Sequence, residues 1–105
     1  MSQLPESYRD FQQKYAEIWH AYDQLGAAVH AAGPLDEKTR ALVKLGLAIG
    51  SQQQGAVHAH VRKSLEAEAG PDEIQHVALL ALPTLGFPAT MAALTWLDDI
   101  LSPPS

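Results

Sequence analysis

The chain has 105 residues, 47 % of them apolar, and twelve acidic against seven basic side chains give it a net charge of −5. Lys and Arg are scattered instead of forming a stripe, which argues against a nucleic-acid partner. The absence of cysteine removes disulfides, thiolate metal sites and thiol redox chemistry together.

The opening MSQLPESYRD lacks the basic and apolar regions of a signal peptide. No apolar run approaches the roughly 18 residues of a membrane span, so a cytoplasmic location and no membrane partner are expected. From Tyr8 the apolar residues fall at Phe11, Tyr15, Ile18, Trp19, Tyr22, Leu25 and Val29, the three-and-four spacing of an amphipathic helix. The run reads as two helical pieces with Gly26 as its weak point, and Gly33-Pro34 ends it. Asp36 is placed to cap a helix over Glu37–Ile49 by accepting the N–H near Thr39, and the Leu and Ala content of that helix predicts burial. Gly50-Ser51 interrupts the pattern; Ser51 is the candidate N-cap of a central helix over about Gln52–Ala67. Pro71, Asp72 and Glu73 open the next helix, with two carboxylates at the positive end of its dipole. Pro83 is expected to kink or end it, Gly86-Phe87-Pro88 to form a corner, and Met91–Leu101 to be the last helix before a frayed SPPS tail. No stretch shows sustained period-two alternation, so the expected class is all-α, about six helices in one domain over 1–105.

The central helix carries the only unusual chemistry. His58 and His60 are two residues apart, about 200° around a helix, so they cannot chelate one ion from a regular helix. No metal site is expected, because one would need His20, His30 or His76 to arrive from another helix. Gln53, Ala56 and Ser64 share the seam of His60, with Val57, Val61 and Leu65 in the adjoining apolar stripe and Arg62, Lys63 and Glu66 on the wet side. A histidine on such a border is partly desolvated yet reachable, and its pKa moves readily across neutrality. The plainer reading is a structural histidine bonded to a neighbouring helix. His58 reads as an exposed or interface residue.

The succession LDEKTRALVKLGLAIG, GAVHAHVRKSLEA, a Pro-Asp-Glu-Ile helix start and ALLALPTLGFPA resembles the carboxymuconolactone decarboxylase and alkylhydroperoxidase D superfamily over about residues 35–101. The resemblance implies an all-α, alkylhydroperoxidase D-like fold. The peroxidase branch carries Cys-x-x-Cys-x-x-x-His with a glutamate on the preceding helix; laid on this chain, these fall on Gln53, Ala56, His60 and Ala41. Only the histidine survives, so thiol peroxidase chemistry is rejected. The decarboxylase branch works without those cysteines, and its resemblance implies loss of carbon dioxide from a carboxylated lactone. On that reading His60 is the acid or base, no cofactor is needed, and Lys44 anchors a small anionic substrate, with Gln53 and Ala56 around the same cavity and Arg40 and Arg62 as further cations. A snorkelling surface lysine is the plainer reading of Lys44.

One departure touches the backbone: relatives commonly have glycine where this chain has Glu68, so either the helix end shifts toward Gly70 or a turn is strained by about 1 kcal/mol. Three readings follow: a decarboxylase-like lyase using His60, a non-catalytic or ligand-binding oligomer on the same scaffold, and metal or haem binding by several histidines. All share an excess of apolar surface at Tyr8, Phe11, Tyr15 and Trp19 and hence a homo-oligomer, which the resemblance implies is a trimer or hexamer.

Overall fold

The computed structural model describes residues 6–102, and every regular element among them is an α-helix. The expected frayed tail falls chiefly on 103–105, outside the described residues. The elements are α1 (Glu6–Lys14), α2 (Ala16–His30), α3 (Glu37–Ser51), α4 (Gln54–Glu66), α5 (Pro71–Leu80), the single turn α6 (Leu82–Leu85) and α7 (Phe87–Leu101). They fall into two compact units, Met1–Pro34 and Leu35–Ser105.

In the first unit the break lies at Tyr15 and not at Gly26. Tyr15 leaves helical space with φ −122° and ψ 54°, although Trp19 N–H still reaches its carbonyl at 2.9 Å. The rings of Tyr8 and Trp19 meet edge to face at 5.2 Å. A straight helix would separate those positions by roughly 16 Å along its axis, so α1 folds back on α2. Edge-to-face aromatic contact rewards that fold, whereas a lone glycine inside a helix costs only about 1 kcal/mol. Between α1 and α2 an aromatic cleft of about 450 Å³ opens, lined by Tyr8, Phe11, Ile18, Trp19 and Tyr22.

The second unit begins as its sequence predicts, with Asp36 Oδ1 accepting the Thr39 N–H at 2.8 Å. Burial of α3 is narrower than its composition suggested: Leu45, Ala48 and Ile49 are buried, but Val43 and Leu47 on the other side are exposed. Ser51 is not an N-cap. It closes α3, donating its Oγ to Ala48 O at 2.6 Å, and the left-handed Gln52 (φ 57°) then turns the chain so that α4 starts at Gln54. A hydroxyl that can bond back to its own helix has no need to reach forward. Pro71 opens α5, where Glu73 Oε1 accepts the Gly70 N–H at 2.9 Å, and Lys38 Nζ meets Glu73 Oε2 at 3.0 Å to tie α3 to α5. Pro83, lacking an N–H, ends α5; Ala81 O then accepts from Thr84, Leu85 and Gly86 in the turn that follows. Gly86 makes the corner with φ +102°, a conformation that side-chain-bearing residues rarely adopt.

The core of this unit is built from α3, α4, α5 and α7. Leu45, Val57, Val61, Ile74 and Leu97 are its large members, and Ala78 and Ala93 allow close approach between helices. Ser64 and Thr90 are its two buried polar residues, each bonding back to a carbonyl one turn earlier: Ser64 Oγ to His60 O at 2.8 Å and Thr90 Oγ1 to Gly86 O at 2.9 Å.

The end of α4 takes the strained alternative. Glu68 sits at φ +69°, with Ala69 N–H bonded to Ser64 O at 2.9 Å and Glu68 N–H to Leu65 O at 3.0 Å, the paired bonds of a Schellman turn. Glu68→Gly is expected to raise stability by about 1 kcal/mol, since the left-handed strain exceeds the entropy that glycine adds to the unfolded chain. Urea melts showing an unchanged or lower midpoint would contradict this.

Candidate functional site

The site is set by how α4 lies against α3. Val57, Val61 and Ser64 form the buried stripe of α4. Ser64 Oγ stands 3.4 Å from Ala41 O, so the two helices, joined by the tight turn at Gln52-Gln53, run back along one another. One turn nearer that connection, Lys44 on α3 and His60 on α4 occupy the same level.

His60 is half-buried, and no described residue hydrogen-bonds its ring. Its pKa is lowered, first by burial, then by the charges of Lys63 and Lys44. Lys44 is also partly buried and its pKa is lowered by desolvation, then by Lys63 and Arg40. Two helices thus place a half-buried imidazole, with its pKa lowered, near cations in a chain that is acidic as a whole. Such a group accepts a proton readily once an anion arrives to offset the lysines.

The sequence-derived residues are distributed unevenly around this centre. Lys44 and His60 interact electrostatically across the helix pair. Ala56 is half-buried one turn before His60, and Gln53, two turns before it, is exposed and caps no backbone N–H with its side chain. Ala41 faces α4 at Ser64 but offers a methyl and no carboxylate. Arg40 Nη1 donates to Leu35 O at 2.6 Å. The residue that sequence reasoning passed over is Lys63. Its place three residues after His60 signals proximity on one helix face, but the wet-side reading of Arg62-Lys63-Glu66 hid it. His58 points elsewhere, donating from Nε2 to Asp99 Oδ2 at 2.9 Å and linking α4 to α7. Among the described residues no three His, Cys, Asp or Glu side chains group to hold a metal ion.

A large concavity lies apart from His60. A cavity of about 710 Å³ between α3, α5 and α6 is lined by Leu42, Val43, Leu47, Val77, Leu80 and Leu85, with Gly46 and Gly50 in its floor. Its polar lining residue, Thr84, spends its hydroxyl on Leu80 O at 2.8 Å. No lining side chain titrates, so this cavity can hold an apolar group but cannot move a proton.

The sequence profile of the carboxymuconolactone decarboxylase family matches residues 16–99. The chain belongs to the carboxymuconolactone decarboxylase family. The match takes in α2 through α7, further toward the N-terminus than the stretch whose residues carried the resemblance. An uncharacterised protein of Haemophilus influenzae is 30 % identical over 63 residues, 60 % of this chain and 56 % of that protein. The chain therefore matches little more than half the length of this relative. No solved structure matches. Within the family the chain is a cysteine-free member, and no helix among its described residues is long and apolar enough to cross a membrane.

Proposed function

We propose that this family member is a small lyase acting on an organic anion, a carboxylated lactone or a related acid, at the α3–α4 seam, with His60 moving the proton. The feature that carries this reading is the half-buried imidazole of His60 on α4, near Lys44 and Lys63, its pKa lowered first by burial and then by the charges of Lys63 and Lys44. A substrate carboxylate settling beside those lysines would offset their charge, raise the pKa of the ring and load it with a proton. The bond from carbon to the leaving carboxylate then breaks, carbon dioxide departs, and the electron pair remains delocalised into the lactone carbonyl. The imidazolium N–H gives its proton to that carbon, which leaves the ring neutral again until the next anion binds and a proton is taken up from solvent. Lys44 anchors the carboxylate in this scheme, while Gln53 and Ala56, on the same side of α4, provide amide and methyl surface along the bound molecule.

A second reading, a binding member without turnover, is favoured by the methyl at Ala41 and by the apolar cavity with no titratable lining. One experiment separates the two. The chain is incubated with a panel of lactone carboxylates while absorbance and released carbon dioxide are followed, and binding is measured by calorimetry. Multiple turnover of at least one acid is the expected result. Binding without turnover would establish the second reading, and neither binding nor turnover would remove both.

A further inference from the structure

We propose that the α3–α4 seam also takes 3-oxo acids, whose ketone Lys44 captures as an imine before carbon dioxide is lost. This activity builds on the seam being a site for organic anions, as proposed above, and gives Lys44 a second task beside anchoring. Its basis is a cluster of basic side chains on two packed helices. Ser64 Oγ stands 3.4 Å from Ala41 O and the helices run antiparallel, so three residues onward along α3 and four back along α4 bring Lys44 level with His60. Lys63 lies one turn from His60 on α4, and Arg40 one turn from Lys44 on α3.

A lysine that only holds a carboxylate does so best as a well-hydrated ammonium. Lys44 is instead partly buried, and Lys63 and Arg40 bring further positive charge to it. Both circumstances work against the ammonium and favour the neutral amine, the form that attacks a ketone. Its pKa is lowered accordingly, by burial first. Lys38 on the same helix is the contrast: its Nζ meets Glu73 Oε2 at 3.0 Å, and that bond raises its pKa. The neighbours along the seam are short: Ala41 and Ala48 flank Lys44 on α3, and Ala56 and Ser64 flank His60 on α4.

The steps balance with the chain's own groups. The Lys44 Nζ lone pair forms the bond to the ketone carbon; the ketone oxygen takes one proton from that nitrogen and one from solvent and leaves as water, giving a protonated imine. With the substrate carboxylate beside Lys63, the bond from carbon to carboxylate breaks, its electron pair moves toward the imine nitrogen, and carbon dioxide and an enamine result. The His60 imidazolium protonates the enamine carbon. Water then adds to the imine carbon, the C–N bond breaks, and ketone, amine and one proton are released.

The test uses the full wild-type chain. It is incubated near neutral pH with acetoacetate and sodium cyanoborohydride, which reduces an imine to a stable secondary amine, and the modified lysines are located by peptide mass spectrometry. Adduct is expected on Lys44 in excess over Lys38, the reference on the same helix. Lys44→Arg, which keeps the charge but not the nucleophile, should lose the adduct at this position without gaining it at Lys38. The wild-type peptide map decides even where that variant fails to fold. No adduct, or Lys44 modified no more than Lys38, would overturn the proposal. Trapping requires no lactone turnover, so the two readings fail separately: adduct on Lys44 without lactone turnover supports the imine chemistry alone, and lactone turnover without adduct removes it.

Discussion

On the proposed lyase reading, His60→Ala is expected to lower turnover of an organic acid by about 10²- to 10⁴-fold, the range that a positioned acid–base group contributes. The loss should appear in kcat more than in KM, because the proposed anion anchors, Lys44 and Lys63, are unchanged. His60→Ala should also change how stability depends on pH. Burial, Lys63 and Lys44 lower the pKa of the ring in the folded chain below its ordinary 6.5, so the unfolded chain binds more protons between the two values. Wild-type stability therefore rises with pH through that window and is level, for this group, above it. In His60→Ala the rise should flatten, as urea melts at pH values between about 5 and 7 would show. Equal turnover by the two proteins across the same acids would remove His60 from the mechanism.

Leu45→Ala is expected to cost about 3 kcal/mol, where Leu47→Ala on the opposite side of α3 costs less than about 1 kcal/mol. Leu45 is fully buried among α4, α5 and α7 residues, whereas Leu47 is 69 % exposed. The first change deletes packed methyl groups and leaves a hole; the second removes atoms already in water. For a domain of this size about 3 kcal/mol corresponds to a melting temperature lower by roughly 12–24 °C. Comparable losses from both substitutions in thermal melts would mean that the buried face of α3 is not the one described.

Much of this architecture was legible because the chain punctuates its helices with strong local signals. Asp36, Pro71, Pro83 and Gly86 each act within a few residues, through a cap, a locked φ or a left-handed corner, and each does what its type dictates. The misread positions are those where a distant group competes. Tyr15 breaks the first run because Tyr8 finds Trp19, a contact no local pattern contains. Ser51 bonds backward to Ala48, leaving α4 to begin without a side-chain cap. In the site, helical spacing placed His60 at a buried border, and the family pattern set Ala41 on the neighbouring helix beside it. The field of Lys44 on that ring depends on how α3 and α4 pack, which the spacing of neither helix alone reveals. The apolar cavity between α3 and α5–α6 was invisible for the same reason: its walls are ordinary core-type residues that the fold leaves uncovered.

The proposed chemistry depends on one ring, His60, half-buried near Lys44 and Lys63 with its pKa lowered, taking up a proton when an anion arrives. Nuclear magnetic resonance titration of the His60 imidazole, assigned by comparison with His60→Ala, tests this most directly. The expected result is a pKa below 6.5 in the free protein that moves upward on adding an organic anion. A pKa at or above 6.5 that no such anion displaces would contradict the claim.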